Sequence, residues 1–190
     1  PRSTLFPYTT LFRSGMNPGD AFGHAVDQAG DFDGDGRPDL VVGAPQAAQG
    51  TGMAHIILRV PPGGVWAVQP LSITLRGTTP RAQFGWSVDG NSDLDFSGTS
   101  EVLIGAPLTG ATTTVGPRGA VHLTSRTMLP IAPGGVFPAN LHTAWYTGSA
   151  ANGRLGWDVS FPGDHNGDGR PDLAASARSE EHTSELQSPC

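Results

Sequence analysis

The chain has little cysteine, few aromatic residues and a shortage of positive charge. Its one cysteine is the last residue, Cys190, so no disulfide can form within the chain and cysteine usage does not report a redox compartment. Eleven basic residues stand against 17 acidic ones, a formal net charge of −6, which argues against a nucleic-acid partner. No apolar run is long enough to span a membrane. There is no Gly-x-Ser-x-Gly elbow, no His-Glu-x-x-His pair and no phosphate-cradling glycine loop, so enzymatic chemistry has no visible residues and a non-enzyme is expected.

What the chain does have is punctuation: 27 glycines and 17 prolines in 190 residues. Such a composition favours many short strands over long helices, in a chain long enough for one domain with a real core. The acidic residues are clustered. Fourteen lie between residues 15 and 177, and ten of those sit in three short loops. Clustered carboxylates repel one another, which a bound cation would relieve.

The two ends differ in character from the middle. Leu11-Phe12-Arg13-Ser14 can be encoded CTC TTC CGA TCT, whose reverse complement encodes Arg178-Ser179-Glu180-Glu181. Residues 4–14 and 178–189 resemble translations of sequencing-library adapters. The expectation is therefore that 1–14 and 178–190 are adapter-derived tails, to be left out of fold reasoning.

Self-similarity organises the rest. Phe22-Gly23, Phe84-Gly85 and Leu155-Gly156 open three equivalent segments, 62 and then 71 residues apart. Nine residues after each start comes the first acid of a loop: Asp31, Asp93 and Asp164. Twenty-one residues after the first two starts stands Gly-Ala-Pro, at 43–45 and 105–107, and the third copy has Ser176-Ala177 there. Each unit reads as four short strands, in the first unit 21–26, 40–42, 54–58 and 71–76, with Pro61–Gly64 and Pro133–Gly135 as turn signals. Four-stranded units at this period fit propeller blades.

The loops carry the chemistry. The first holds Asp31, Asp33, Asp35, Arg37 and Asp39 at positions 1, 3, 5, 7 and 9; the second Asp93, Asp95, Ser97, Thr99 and Glu101; the third Asp164, Asn166, Asp168, Arg170 and Asp172. Positions 1, 3, 5 and 9 offer side-chain oxygens, position 6 is always Gly, and position 7 is expected to give its backbone carbonyl. Calcium takes roughly 6–8 oxygens, and alternate residues of a tight loop can supply them. Asx-turns with solvated carboxylates are the plain alternative, but turns alone do not require four oxygens in register three times over. An EF-hand needs Glu at position 12 followed by a helix. Position 12 here is Val42, Ile104 and Ala175, in segments that read as strands.

These residues resemble FG-GAP repeats, the blades of the integrin α-subunit β-propeller and its bacterial relatives. The Phe-Gly start, the Asp-x-Asp-x-Asp-Gly-x-x-Asp loop and the Gly-Ala-Pro end all stand in the first repeat. The second substitutes Ser97 and Glu101, and the third has Leu155 and Asn166. The resemblance implies an all-β fold of two complete four-stranded blades (15–79 and 80–150) and part of a third (151–177), from a seven-bladed ring. It also implies Ca2+ as the cofactor, bound between the first and second strands of each blade. Ligand loops would lie on the opposite face, here 46–51, 78–83, 108–118 and 149–154, and the partner would be an unidentified protein or glycan.

Other residues are set aside. His24 aligns with Trp86 and Trp157 as a strand residue filling a large site, and the tryptophans read as inner-strand packing. His55 and His122 read as packing or surface residues. His142 and His165 are not read as ligands, and Asp158 has no acidic counterpart in the other repeats. The expected function is a calcium-stabilised module of a secreted or cell-surface protein, acting in binding or adhesion, with calcium affinity of about 10⁻⁴–10⁻³ M. The alternatives are a non-catalytic part of a larger extracellular hydrolase and a purely structural surface repeat.

Overall fold

The computed structural model describes residues 17–58, 71–130, 132–141 and 144–178. The tails 1–14 and 179–190, the turn at 61–64 and His142 lie outside them. Eleven strands are found there: β1 (Val26–Gly30), β2 (Asp39–Ala44), β3 (Met53–Ile57), β4 (Ser72–Arg76), β5 (Val88–Ser92), β6 (Glu101–Ala106), β7 (Ala120–Thr124), β8 (Val136–Pro138), β9 (Ala144–Thr147), β10 (Asp158–Gly163) and β11 (Asp172–Ser176). They form three sheets, ordered β1-β2-β3-β4-β8, β5-β6-β7-β9 and β10-β11. Apart from β4–β8, every neighbouring pair is antiparallel. This is the all-β, blade-like architecture the repeat spacing predicts.

Two details differ from expectation. The first strand of the first repeat is not 21–26 but β1, because Ala21 (φ 55°) and Gly23 (φ 88°) turn the backbone through the left-handed region. The Phe-Gly start is thus a turn ahead of the strand. In the later repeats its first residue bridges to the preceding sheet, Phe84 to Gly52 and Leu155 to Gly119. The first sheet also has five strands rather than four. β8, from the connection between β7 and β9, runs parallel to β4 with Thr74 opposite Val136 and Leu75 opposite Phe137.

The sheets stack face to face because their middle strands are apolar on both sides. In β6, Val102 and Ile104 join a core with Val41, Ile56 and Ile73 of the first sheet. Leu103, between them in sequence, faces a second core with Val159 and Ala175 of the third. Alternate residues of a strand point to opposite faces, so one short apolar run serves two interfaces.

This stacking gives the Gly-Ala-Pro motif its physical meaning. A Cβ at Gly43 would overlap the carbonyl oxygen of Gly85, and a Cβ at Gly105 that of Gly156. Each is the second residue of the next repeat's start. Within a repeat the two motifs are joined by a backbone bond, Gly23 N–H to Gly43 O and Gly85 N–H to Gly105 O, both 3.0 Å. Only glycine lets successive sheets approach this closely.

His24, Trp86 and Trp157 do pack, but not within strands. They sit in the turns ahead of β1, β5 and β10 and form a column across the three sheets, with ring centroids 4.4 Å and 5.0 Å apart. The Arg178 guanidinium lies 4.9 Å from the Trp157 ring.

Candidate metal centre

Each acidic loop links the first two strands of a repeat: β1 to β2, β5 to β6, β10 to β11. A register irregularity precedes each loop, at Gln28/Gly30, Asp89/Ser92 and Ser160/Gly163. It bends the strand as the chain enters the turn.

One hydrogen-bond pattern recurs in all three. The position-1 carboxylate accepts from the position-6 glycine: Gly36 N–H to Asp31 at 2.9 Å, Gly98 N–H to Asp93 at 2.9 Å and Gly169 N–H to Asp164 at 2.8 Å. Position 3 accepts from the position-5 amide, with distances of 3.0, 3.0 and 2.8 Å in loop order. Position 9 accepts from the position-2 amide, Phe32 to Asp39 at 3.0 Å, Leu94 to Glu101 at 2.6 Å and His165 to Asp172 at 2.8 Å. The backbone amides orient the carboxylates inward and leave them further lone pairs.

The first two loops gather three acids each. Ligand atoms of Asp31, Asp33 and Asp39 lie within 4.8 Å of one another, as do those of Asp93, Asp95 and Glu101. Asp35 is not in the first trio and accepts from Arg37 N–H at 3.0 Å, and Asp168 of the third loop accepts from Arg170 N–H at 2.8 Å. Ser97 Oγ lies 2.9 Å from Thr99 Oγ1. In the third loop Asn166 replaces an acid, and its amide Nδ2 is 3.2 Å from Asp168 and 3.3 Å from Asp172. The Arg37 and Arg170 side chains are exposed.

Glu101 supplies the test of fit. It is 1% exposed, and its Oε1 has no hydrogen-bond partner although Asp93 and Asp95 converge on the same point. Burial, and then the charges of Asp95 and Asp93, raise its pKa to about 7 against the pull of the Leu94 amide. A buried, unpaired carboxylate oxygen beside two other carboxylates is costly. A hard divalent cation that takes oxygen ligands matches that donor set. Asp95, fully exposed, has its pKa lowered chiefly by the Ser97 hydroxyl.

Phe96 was not singled out from the sequence. It occupies position 4, where the other loops have Gly34 and Gly167, and keeps their positive φ at 56°. Its ring is 60% exposed, and the guanidinium of Arg170, from the third loop, lies 5.8 Å from it. A bulky residue in a glycine position was the available signal.

Residues 22–57 match the family model of the FG-GAP repeat. The chain is 33% identical over 127 residues to integrin alpha-5 of Xenopus laevis, covering 65% of the chain and 12% of that relative. It is 32% identical over 108 residues to integrin alpha pat-2 of Caenorhabditis elegans, covering 56% and 9%. Against human integrin alpha-IIb it is 34% identical over 95 residues, covering 47% and 9%. The chain thus spans about a tenth of the length of these relatives. One repeat is matched outright and its loop geometry recurs in two more, which supports an integrin-α-like FG-GAP repeat protein.

Proposed function

We propose that these repeats form a calcium-binding β-propeller module of a secreted or cell-surface protein, acting in binding or adhesion rather than catalysis. Blade units of 15–79, 80–150 and 151–177 would each contribute one loop. The observation that carries the reading is the buried, unpartnered Oε1 of Glu101 among the Asp93 and Asp95 carboxylates. When bound, the cation supplies neutralisation of the clustered negative charge. The chain's own part is to hold the ligands: Asp31, Asp33, Asp35, the Arg37 carbonyl and Asp39 in the first loop, Asp93, Asp95, Ser97, the Thr99 carbonyl and Glu101 in the second. In the third they are Asp164, Asn166, Asp168, the Arg170 carbonyl and Asp172. The similarity to integrin α subunits supports a surface location and a protein or glycan ligand on the face away from these loops.

Isothermal calorimetry of the full-length protein with CaCl2 tests the reading. Asp33→Ala should remove one site from the stoichiometry, and Asp35→Ala should weaken that site. Unchanged stoichiometry and affinity in both variants would sink the calcium assignment.

A further inference from the structure

The second repeat departs from the first at one strand position, and the departure opens a cleft. In the first sheet His55 stands opposite Thr74, with its Nδ1 2.9 Å from the threonine hydroxyl, and is 3% exposed. The equivalent His122 stands opposite Trp145 instead. Those two rings are nearly parallel, at 14° with centroids 6.2 Å apart, and Trp145 is 53% exposed. The phenylalanine that opens each repeat meets its histidine edge-on in both cases, Phe22 to His55 at 5.3 Å and Phe84 to His122 at 5.1 Å. The inner partner is therefore kept while the outer one changes from a small, closed hydroxyl to a large, half-exposed indole.

Phe84, His122, Trp145, Thr78, Thr79 and Asn140 line a cleft of about 90 Å³. The cleft lies between the first and second sheets. It opens where β4 ends, the side away from the acidic loops, because β4 runs in the same sense as β2. Among the described residues, no carboxylate, lysine or arginine lines it. The described lining suits an uncharged ligand with an apolar face for the indole and several hydroxyl or amide groups for the threonines and Asn140. A sugar ring has all of these.

We infer that this cleft is a saccharide-binding subsite for one neutral sugar residue, with Trp145 as the stacking platform and Thr78, Thr79 and Asn140 as the polar rim. The inference rests on the ligand-binding part of the proposed function and is independent of the calcium loops.

The test is titration of the full-length protein with the methyl glycosides of glucose, galactose, mannose and N-acetylglucosamine, followed by tryptophan fluorescence and saturation-transfer NMR. At least one glycoside should saturate the signal and receive magnetisation on its ring protons. Trp145→Ala should weaken that binding about tenfold, in line with loss of one aromatic contact surface, and Trp145→Phe should weaken it less. Tyr146→Ala, on the opposite face of β9, should leave it unchanged. Asn140→Ala alters an exposed position outside the strands and should weaken binding several-fold (about two- to fivefold for one lost hydrogen bond), so it decides the matter if Trp145→Ala melts early. Failure of every glycoside to bind overturns the proposal. So does binding that Trp145→Ala and Asn140→Ala leave intact, or a preference for indole or benzyl alcohol over all four sugars. A protein ligand whose binding survives Trp145→Ala, in the absence of sugar binding, overturns the subsite and leaves the ligand-binding reading standing.

Discussion

At the scale of single residues, two buried ionisable groups make opposite predictions. Glu101 is held buried beside two carboxylates with one oxygen unpartnered. Glu101→Gln keeps the volume and the Leu94 contact but removes the charge. Without calcium this variant should be as stable as the parent or about 1 kcal/mol more so, because a buried like charge is gone. Its gain in melting temperature on adding calcium should be smaller by one site's share, which calorimetric scans with and without CaCl2 would show. His55 behaves differently. Burial, partly opposed by the charge of Asp20, lowers its pKa from 6.5 to about 4. A depressed folded pKa means the unfolded chain binds the proton more readily. The contribution is therefore fully present above pH 6.5 and is lost as pH falls from 6.5 towards 4. Between pH 7.5 and 5 the loss should be about 2 kcal/mol, measurable by urea denaturation, and His55→Gln should flatten that slope. Of the loop acids, the oxygen-bearing positions were legible in the sequence because they recur in register. The burial of Asp39 and Glu101 was not, since it depends on how neighbouring sheets pack rather than on the loop itself.

At the scale of strands and turns, the apolar triplet of β2 and the spacing between motifs were enough to place three of the first repeat's four strands to within two residues. The Phe-Gly start was misread as strand because its residues look apolar and extended. The chain there takes positive φ values and is held by tertiary contacts, Gly23 N–H to Gly43 O in the first repeat and a bridge to the preceding sheet in the later two. β8 escaped notice because three residues carry no period and their partner strand lies sixty residues away. Gly105→Ala should destabilise the fold by about 1–3 kcal/mol, since the new methyl meets a backbone oxygen that cannot rotate away. Chemical denaturation measures this, and an unchanged midpoint would refute the close-approach account of Gly-Ala-Pro. β8 makes a subtler prediction. Thr74 N–H donates to Gly135 O at 2.9 Å, and Phe137 packs partly buried against the first core. Phe137→Ala should detach β8 locally, so the Thr74 amide should exchange faster while the β2 and β3 amides keep their protection.

At the scale of the whole molecule, the acidic loops sit where sheets meet, so a cation bound there would act on the stack and not only on single turns. Ser100, in the second loop, donates its N–H to the carbonyl of Asp31 in the first at 3.0 Å. The Phe161 amide donates to Asp89 across the second and third sheets at 2.6 Å, and Arg170 reaches over Phe96. Ordering one loop therefore helps to hold the next, and removing a bound ion would loosen junctions as well as turns. With free calcium about ten times Kd, each site adds about 1.4 kcal/mol. Three independent sites add about 4 kcal/mol, on the order of 10 °C in melting temperature for a domain of this size. EDTA should lower the melting temperature by that amount, and excess calcium should restore it. Asp33→Ala, Asp95→Ala and Asp164→Ala should each remove about a third of the gain if the sites are independent. Coupling through Ser100 and Arg170 would show instead as single variants that each remove more than a third. A melting temperature indifferent to EDTA would mean that backbone amides alone hold these loops, as plain Asx-turns.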